Sequence, residues 1–234
     1  DGWRLIGRDP TYYGNIGLDA IDFGTSTATG STVGALNTRS INFGVDNENS
    51  SIGGISAGLG NSLGVINPDA QEAYTNVFGY NNTAQGLTYA ALITGRNNVM
   101  GHPSLVWPNA MNVYSVQMGR GNSMTHGYAS AQIGDQLSGS SPHCVTVGVA
   151  NEDVTLTSAV PSWATNNNNN PRFIVGNGTA NYASDPGYAM TRSNAFEVWQ
   201  SGYVLAPSLT TTLIDAETTG RVLVTREYLT GSTS

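Results

Sequence analysis

One short pattern of apolar and polar positions returns along the chain. It consists of an apolar residue, any residue, a second apolar residue, a glycine, two further residues and often an asparagine. The pattern is complete at 41–47, 55–61, 116–122 and 145–151; its first half stands at 131–134 and 173–176, and copies shifted by one residue stand at 76–79 and 92–95. Since alternate residues of a strand point to the same face, the pattern predicts a series of short strands with an apolar face.

The glycines of this pattern are regularly spaced. They occupy positions 44, 58, 79, 95, 119, 134, 148 and 176. Most intervals between successive glycines are close to 14–16 residues or to twice that length, and the remaining ones fit this length plus an insertion. The chain therefore repeats with a period of about 14–16 residues, as expected when each structural unit packs only against its neighbours.

The residue types of the repeat suit a stack of coils. Glycine permits a positive φ or a close approach of two backbones, and asparagine tolerates the left-handed conformation and hydrogen-bonds its own backbone at a corner. A second glycine often follows, as at Gly86 and Gly127, so each period holds two strands and two corners. We expect an all-β, solenoid-like β-roll whose stacked coils bury their apolar faces, with 69–74 as the only helix-like run.

Composition and charge narrow the function classes. Only 39% of the residues are hydrophobic and 11% are charged, while 29 are glycine, which is typical of many short strands and turns. The net charge is −7 and there is no lysine, which argues against nucleic acid binding and against docking to an anionic membrane surface. No apolar run approaches the length of a membrane span, so no membrane insertion is expected. Cys144 is the single cysteine, and we expect it to be a buried structural thiol.

The repeats resemble the left-handed β-roll heads of trimeric autotransporter adhesins and related repeats of bacteriophage tail fibres. Both ends of the chain resemble segments of phage fibres, at 2–10, 13–17, 192–198 and 220–229. The resemblance implies a homotrimer with intertwined or side-by-side chains. We accordingly divide the chain into an initial β segment at 1–40, a β-roll repeat region with insertions at 41–180, and a C-terminal β segment at 181–234 that leads to an assembly or stalk region. In the last segment we expect strands at 195–199 and 221–229.

The insertions between repeats are the places where we expect a ligand to bind, because loops on a rigid scaffold carry most contacts. One insertion holds a tryptophan beside two prolines, and another holds a tryptophan followed by a run of asparagines that suits sugar hydroxyls. Plugging a trimer interface or capping a coil is the alternative role for both tryptophans. The candidate ligand-binding residues are His102, Trp107, Trp163, Asn167, Asn168 and Asn169.

No motif for catalysis, cofactor binding or metal binding stands out. The stretch at 30–34 has threonine where a nucleophile elbow needs serine. No zinc-ligand spacing and no phosphate-binding loop occurs, so we expect no catalytic residue, no metal and no cofactor. A calcium loop at 46–50 and a carboxylate pair from Asp135 with Glu152 or Asp153 are the alternatives that the residues leave open.

The sequence therefore predicts a structural and receptor-binding segment, and not an enzyme. The resemblance implies an extracellular place in a virion tail fibre or on a bacterial cell surface. Its partners would be two further copies of the chain, neighbouring fibre or baseplate proteins, and a host-surface glycan or protein. A shaft or spacer without its own binding site is the main alternative, and a glycan-cleaving tailspike is a further one.

Overall fold

The structure is a computed structural model, and it describes residues 2–4, 15–26, 33–64, 74–101, 111–125, 127–153, 170–180 and 190–216. Within these ranges the backbone is mostly β-strand, with one short helix. In chain order the elements are β1 (Trp3–Arg4), β2 (Ile21–Thr25), β3 (Gly34–Ala35), β4 (Ile41–Val45), β5 (Glu48–Asn49), β6 (Ile55–Leu59), β7 (Ser62–Gly64), β8 (Asn76–Tyr80), β9 (Thr83–Gln85), β10 (Leu87–Tyr89), β11 (Leu92–Arg96), β12 (Val99–Met100), β13 (Met111–Val113), β14 (Val116–Arg120), β15 (Ser123–Met124), β16 (Ala131–Asp135), β17 (Ser138–Gly139), β18 (Val145–Val149), β19 (Pro171–Asn177), β20 (Thr179–Ala180), β21 (Met190–Thr191), β22 (Asn194–Trp199), β23 (Val204–Leu205) and α1 (Thr211–Ala216).

Most strands belong to two parallel sheets between which the chain alternates. Among the described residues, a 12-stranded sheet, here called the long sheet, has the order β1-β2-β4-β6-β8-β11-β14-β16-β18-β19-β22-β23. A 7-stranded sheet, here called the second sheet, has the order β17-β15-β12-β9-β7-β5-β3. We call one passage through a strand of the long sheet and the following strand of the second sheet a coil. Each coil therefore lies beside the previous one in both sheets.

The glycines of the sequence repeat form one continuous row across the long sheet. Pairing brings together, in order, Gly24, Gly44, Gly58, Gly79, Gly95, Gly119, Gly134, Gly148 and Gly176. The repeated glycines of the sequence thus occupy equivalent positions in paired strands, and the repeat begins one coil earlier than the sequence pattern indicated, at Gly24. The segments at 76–79 and 92–95 pair in the common register.

Two constraints require glycine in this row. Gly95 has a φ of 120° and Gly119 has a φ of 124°, values that residues with a side chain rarely adopt. A Cβ atom on Gly95 would also overlap the carbonyl oxygen of Gly119 in the next coil. Both reasons predicted for glycine, the positive φ and the close backbone approach, apply at the same residue.

A row of buried asparagines links the coils at the first corner, which follows the strand of the long sheet. Each of these asparagines stands three residues after a glycine of the row. The side-chain amide of Asn82 donates to the carbonyl oxygens of Phe78 (3.0 Å) and Gly95 (2.8 Å) and to Asn61 Oδ1 (3.1 Å). Its own Oδ1 accepts from the backbone N–H and the side-chain amide of Asn98, both at 3.0 Å. The two bonds to carbonyl oxygens recur along the row, here called the asparagine ladder, at Asn47, Asn61, Asn82, Asn98 and Asn122. The bond between side-chain amides joins Asn47, Asn61, Asn82 and Asn98.

The predicted left-handed conformation of these asparagines is wrong. At this corner the left-handed residue is the one before the ladder asparagine, as at Asp46 (φ 52°), Asn81 (φ 50°) and Asn97 (φ 55°). The preceding residue turns the chain, which leaves the ladder asparagine free to point inward. Its hydrogen bonds to backbone are those that were expected, but most of them reach into neighbouring coils.

The interior of the stack is narrow and largely polar. The second residue of each five-residue strand points inward and is buried; these residues are Asp22, Asn42, Ser56, Val77, Ile93, Gln117, Gln132 and Thr146. An apolar cluster fills the middle coils, and it consists of Leu63, Val77, Ala84, Ala91, Ile93, Met100 and Met124. The expectation that the apolar positions of the repeat are buried inside the stacked coils is therefore wrong, since those positions are the first and third of each strand.

The C-terminal part adds antiparallel strands to the end of the stack. β22 pairs antiparallel with β19 and with β23, and β20 pairs antiparallel with β21. The strand predicted at 195–199 is present as β22, whereas the helix α1 was not predicted. The long sheet runs from Trp3 to Leu205 and so crosses the proposed boundaries at 40 and 180. The strand predicted at 221–229 and most of the helix-like run at 69–74 lie outside the described residues.

We expect Asn82→Ala to destabilise the fold strongly. The change leaves a buried backbone N–H of Asn98 and the carbonyl of Gly95 without these partners. Each unsatisfied buried group costs about 1–3 kcal/mol, so the free energy of unfolding should fall by roughly 3 kcal/mol or more. Urea unfolding measures this, with Asn81→Gly as the control because Asn81 is exposed and already left-handed. Equal stability of both variants would contradict the role given to the ladder.

Three glycine substitutions separate the effect of positive φ from that of steric overlap on the free energy of unfolding. Gly95→Ala combines a positive φ with a steric overlap, Gly202→Ala has only the positive φ (88°), and Gly64→Ala has neither, since nothing lies within 4 Å of its added Cβ. We expect losses of unfolding free energy of roughly 3 kcal/mol or more, about 1 kcal/mol and about zero, respectively. Thermal or urea unfolding of the three variants checks the order, and a loss for Gly95→Ala no larger than for Gly202→Ala would overturn it.

Candidate functional site

The outer face of the long sheet is apolar. The first and third residues of each paired five-residue segment point outward, from Ile21 and Phe23 in β2 to Phe173 and Val175 in β19. Apolar residues occupy all of these positions except Asn76 and Thr94, and none of the positions carries a charge. We call this surface the apolar face.

Large side chains on the apolar face are exposed to solvent in the isolated chain. The exposed fraction is 43% for Phe43, 39% for Met118 and 48% for Ile133. The Phe23 and Phe43 rings of adjacent coils contact each other with centroids 5.7 Å apart. Soluble monomers rarely expose a contiguous apolar surface of this kind; such surfaces are typical of protein interfaces, membrane contacts and ligand-binding grooves.

Charged and aromatic side chains flank the apolar face at the fifth position of four middle strands, β8, β11, β14 and β16. The Arg96 guanidinium lies 5.2 Å from the centroid of the Tyr80 ring, a cation–π contact between adjacent coils. Arg120 and Asp135 form an ion pair at 2.9 Å, also between adjacent coils. These contacts give the apolar face a polar border along one side.

The second corner, which leads into each strand of the long sheet, carries a run of rings. Tyr114 and Tyr128 contact edge to face with centroids 6.3 Å apart, and Tyr128 and His143 do so at 5.2 Å. Burial, and then the positive charge of Arg172, lower the pKa of His143, which keeps the imidazole neutral near pH 7. Arg172 donates to the carbonyl oxygen of Pro142 at 3.4 Å in the same corner. Spacing in the sequence did not reveal this cluster, because its members come from consecutive coils.

The ligand-binding residues predicted from the sequence lie outside the described residues. These are His102, Trp107, Trp163, Asn167, Asn168 and Asn169. The described residues on either side of the two insertions are Gly101 and Met111, and Asp153 and Asn170. Each of these flanking residues adjoins or belongs to a coil of the stack, so both insertions start and end on the scaffold. The role of the six residues stays a prediction.

Two of the three carboxylates that were considered for catalysis, those of Asp135 and Asp153, are engaged in other contacts. Asp135 pairs with Arg120, and Asp153 accepts hydrogen bonds from the hydroxyls of Ser138 (3.3 Å) and Ser140 (3.4 Å). The backbone N–H of Glu152 donates to Asn194 Oδ1 at 2.9 Å. The structure shows no acid–base arrangement between these carboxylates, and the glycan-cleaving alternative gains no support from them.

The predicted alternative of a calcium loop at 46–50 also lacks a supporting cluster. Asp46 Oδ1 accepts from the Ser26 hydroxyl at 2.9 Å, and Glu48 Oε1 accepts from the Ser50 hydroxyl at 3.3 Å. Across the described ranges, no group of three or more His, Cys, Asp or Glu side chains is placed to hold a metal ion.

Comparisons with known proteins return no match, whether against models of protein families, curated proteins or solved structures. In the part of the chain that the structure describes, no helix is both long and apolar enough to cross a membrane. The resemblance to fibre repeats therefore depends on the sequence pattern alone.

Cys144 is buried, as predicted, directly before β18. Burial raises the pKa of its thiol from 9.0 to about 11. We therefore expect iodoacetamide at pH 8.5 to alkylate the native protein about 50-fold or more slowly than the urea-unfolded chain, because the thiolate is the reactive form. Mass spectrometry follows the modification, and equal rates in the two states would show that Cys144 is accessible and not part of the packed interior.

Proposed function

We propose that this chain is a structural and receptor-binding segment of a homotrimeric fibre, either a phage tail fibre or a surface adhesin. The observation that carries the proposal is the apolar face, which extends across nine paired strands, each with at least one apolar residue at its first or third position. Exposure of such an apolar surface to water is unfavourable, and its burial against another surface would be favourable. The chain would reach its full stability only when another surface buries this face.

The cover that fits best is a second copy of the same chain. Strands in a sheet lie about 4.8 Å apart, so the apolar face is roughly 40 Å long and has one ridge per coil. Another copy has ridges of the same spacing and can match them coil for coil. The absence of charge at the first and third positions also means that two copies meet without electrostatic repulsion, although each chain has a net charge of −7. The number of three copies comes from the resemblance to trimeric adhesin heads and phage fibres.

The stack would serve as a rigid scaffold for the insertions. Loops that start and end on such a scaffold are held in fixed positions and tolerate sequence variation, which suits receptor contacts. Three chains would present three equal sets of loops, so weak individual sites would combine into a high overall avidity. In this proposal Trp107 and Trp163, with their neighbouring His and Asn residues, contact a host-surface glycan or protein.

A single charge on the apolar face tests the proposal. Ile133 is 48% exposed in the isolated chain, so Ile133→Lys places its ammonium in solvent and leaves one chain folded. In an assembly the same lysine would be buried against a partner at a cost of several kcal/mol. We expect light scattering to give a mass near three times 24.5 kDa for the unmodified chain and a lower mass for Ile133→Lys.

The matched control is Ser62→Lys, which places the same charge on the outer side of the second sheet. It should leave the mass unchanged, and circular dichroism should show the same β content for all three proteins. An unmodified chain that is monomeric at micromolar concentration, or an Ile133→Lys variant that keeps the full mass, would contradict the proposal.

A further inference from the structure

The second corner of the later coils contains bulky residues in an unfavourable backbone conformation. Tyr114 has a φ of 56° and His143 has a φ of 57°, both in the left-handed region. The equivalent residues of the other coils are also left-handed; they are Asp19, Arg39, Gly53, Tyr74, Ala90 and Ala129. The left-handed conformation therefore belongs to the corner in each of these coils. What distinguishes the later coils is the set of rings that this corner carries.

The corner places rings on the surface in a fixed arrangement. Tyr114 is 65% exposed, although its ring contacts Tyr128, which in turn contacts His143. Edge-to-face contacts between neighbouring coils restrict the three rings before any ligand arrives. A ligand that stacks on them would lose little side-chain entropy on binding.

Polar groups accompany each ring of this corner. The two tyrosines carry hydroxyls, the neutral imidazole of His143 both donates and accepts, and Arg172 is close enough to lower the pKa of His143. This mixture matches a pyranose ring, which has a C–H face for stacking and a rim of hydroxyls for hydrogen bonding. A peptide would instead seek a groove or a free strand edge, and the corner is a turn between paired strands. Nucleic acid would require a basic surface, which a chain of net charge −7 without lysine does not offer.

We propose that Tyr114, Tyr128, His143 and Arg172 form a carbohydrate-binding surface whose ligand is a pyranose-containing glycan. The inference deepens the proposed receptor-binding function, because it names the class of receptor and a site for it on the scaffold itself. Four consecutive coils supply the site, so the stacking of the coils sets its dimensions. The site is separate from the candidate residues in the two insertions.

The test is a titration of the whole chain with the methyl glycosides of glucose, galactose, N-acetylglucosamine and glucuronic acid, followed by ligand-observed NMR. The variants are Tyr114→Asn and His143→Asn, because asparagine tolerates the left-handed backbone and removes only the ring. Tyr203→Asn is the matched control, since Tyr203 is 69% exposed and lies in another part of the fold. Urea unfolding of each variant verifies that the fold is intact.

We expect saturable binding of at least one glycoside, weakened about fivefold or more by Tyr114→Asn and by His143→Asn, since one stacked ring contributes a fraction of the binding free energy. Tyr203→Asn should bind as the unmodified chain does. Absence of saturable binding for all four glycosides, or unchanged binding in both corner variants, would overturn the assignment.

Light scattering on the same samples separates this inference from the fibre proposal. If Tyr114→Asn loses the mass of the unmodified chain, the corner is a contact between chains and the carbohydrate site is refuted, while the fibre proposal stands. If the unmodified chain is a monomer that binds a glycoside through the corner, the carbohydrate site stands and the homotrimer is refuted.

Discussion

The hydrogen bonds from buried asparagine side chains to the glycine carbonyls of the next coil are the interaction on which the structure depends. The positive φ of the glycine turns its carbonyl so that the buried amide can reach it, as Asn82 reaches Gly95 at 2.8 Å. The spacing of three residues between glycine and asparagine in one coil repeats this geometry in the next. Buried amides of this kind are stable only when their hydrogen bonds are satisfied, and the ladder supplies them.

The asparagine ladder determines where the apolar residues of the chain lie. Because backbone and asparagine bonds hold adjacent coils together, the interior can be narrow and contain residues such as Asn42, Ser56 and Gln117. The larger side chains of the repeat then lie outside, where Phe43 and Ile133 form part of the apolar face. A chain that places its larger apolar side chains on the surface is suited to assembly, since another chain can complete its burial.

The sequence predicted the repeat but not which side of the strand is buried. The glycine row was recognisable because steric overlap and positive φ admit no other residue, so Gly44 through Gly148 keep one pattern. Alternation distinguishes two faces of a strand, yet it does not say which face is inside when the interior is polar. Asn42 and Gln132 look like solvent-facing residues in the sequence, and only the stacking of neighbouring coils supplies the partners that allow their burial.

Prediction from the sequence was limited in the same way at the candidate site. Trp107 and Trp163 are conspicuous in the sequence because they lie in insertions beside prolines, so local composition was enough to select them. The rings of Tyr114, Tyr128 and His143 are brought together by the period of the coils, and no local pattern marks them. A prediction of this cluster would have required the exact register of three consecutive coils, which the insertions conceal.

The dependence of the unfolding midpoint on protein concentration tests the central claim most directly, namely that copies of this chain bury the apolar face. Thermal unfolding would be followed by circular dichroism across a hundredfold range of concentration. If folding and association are coupled through this face, mass action requires the midpoint to rise steadily with concentration. A midpoint that is the same at every concentration, with reversible unfolding, would show that the single chain is stable with its apolar face uncovered, and would contradict the account.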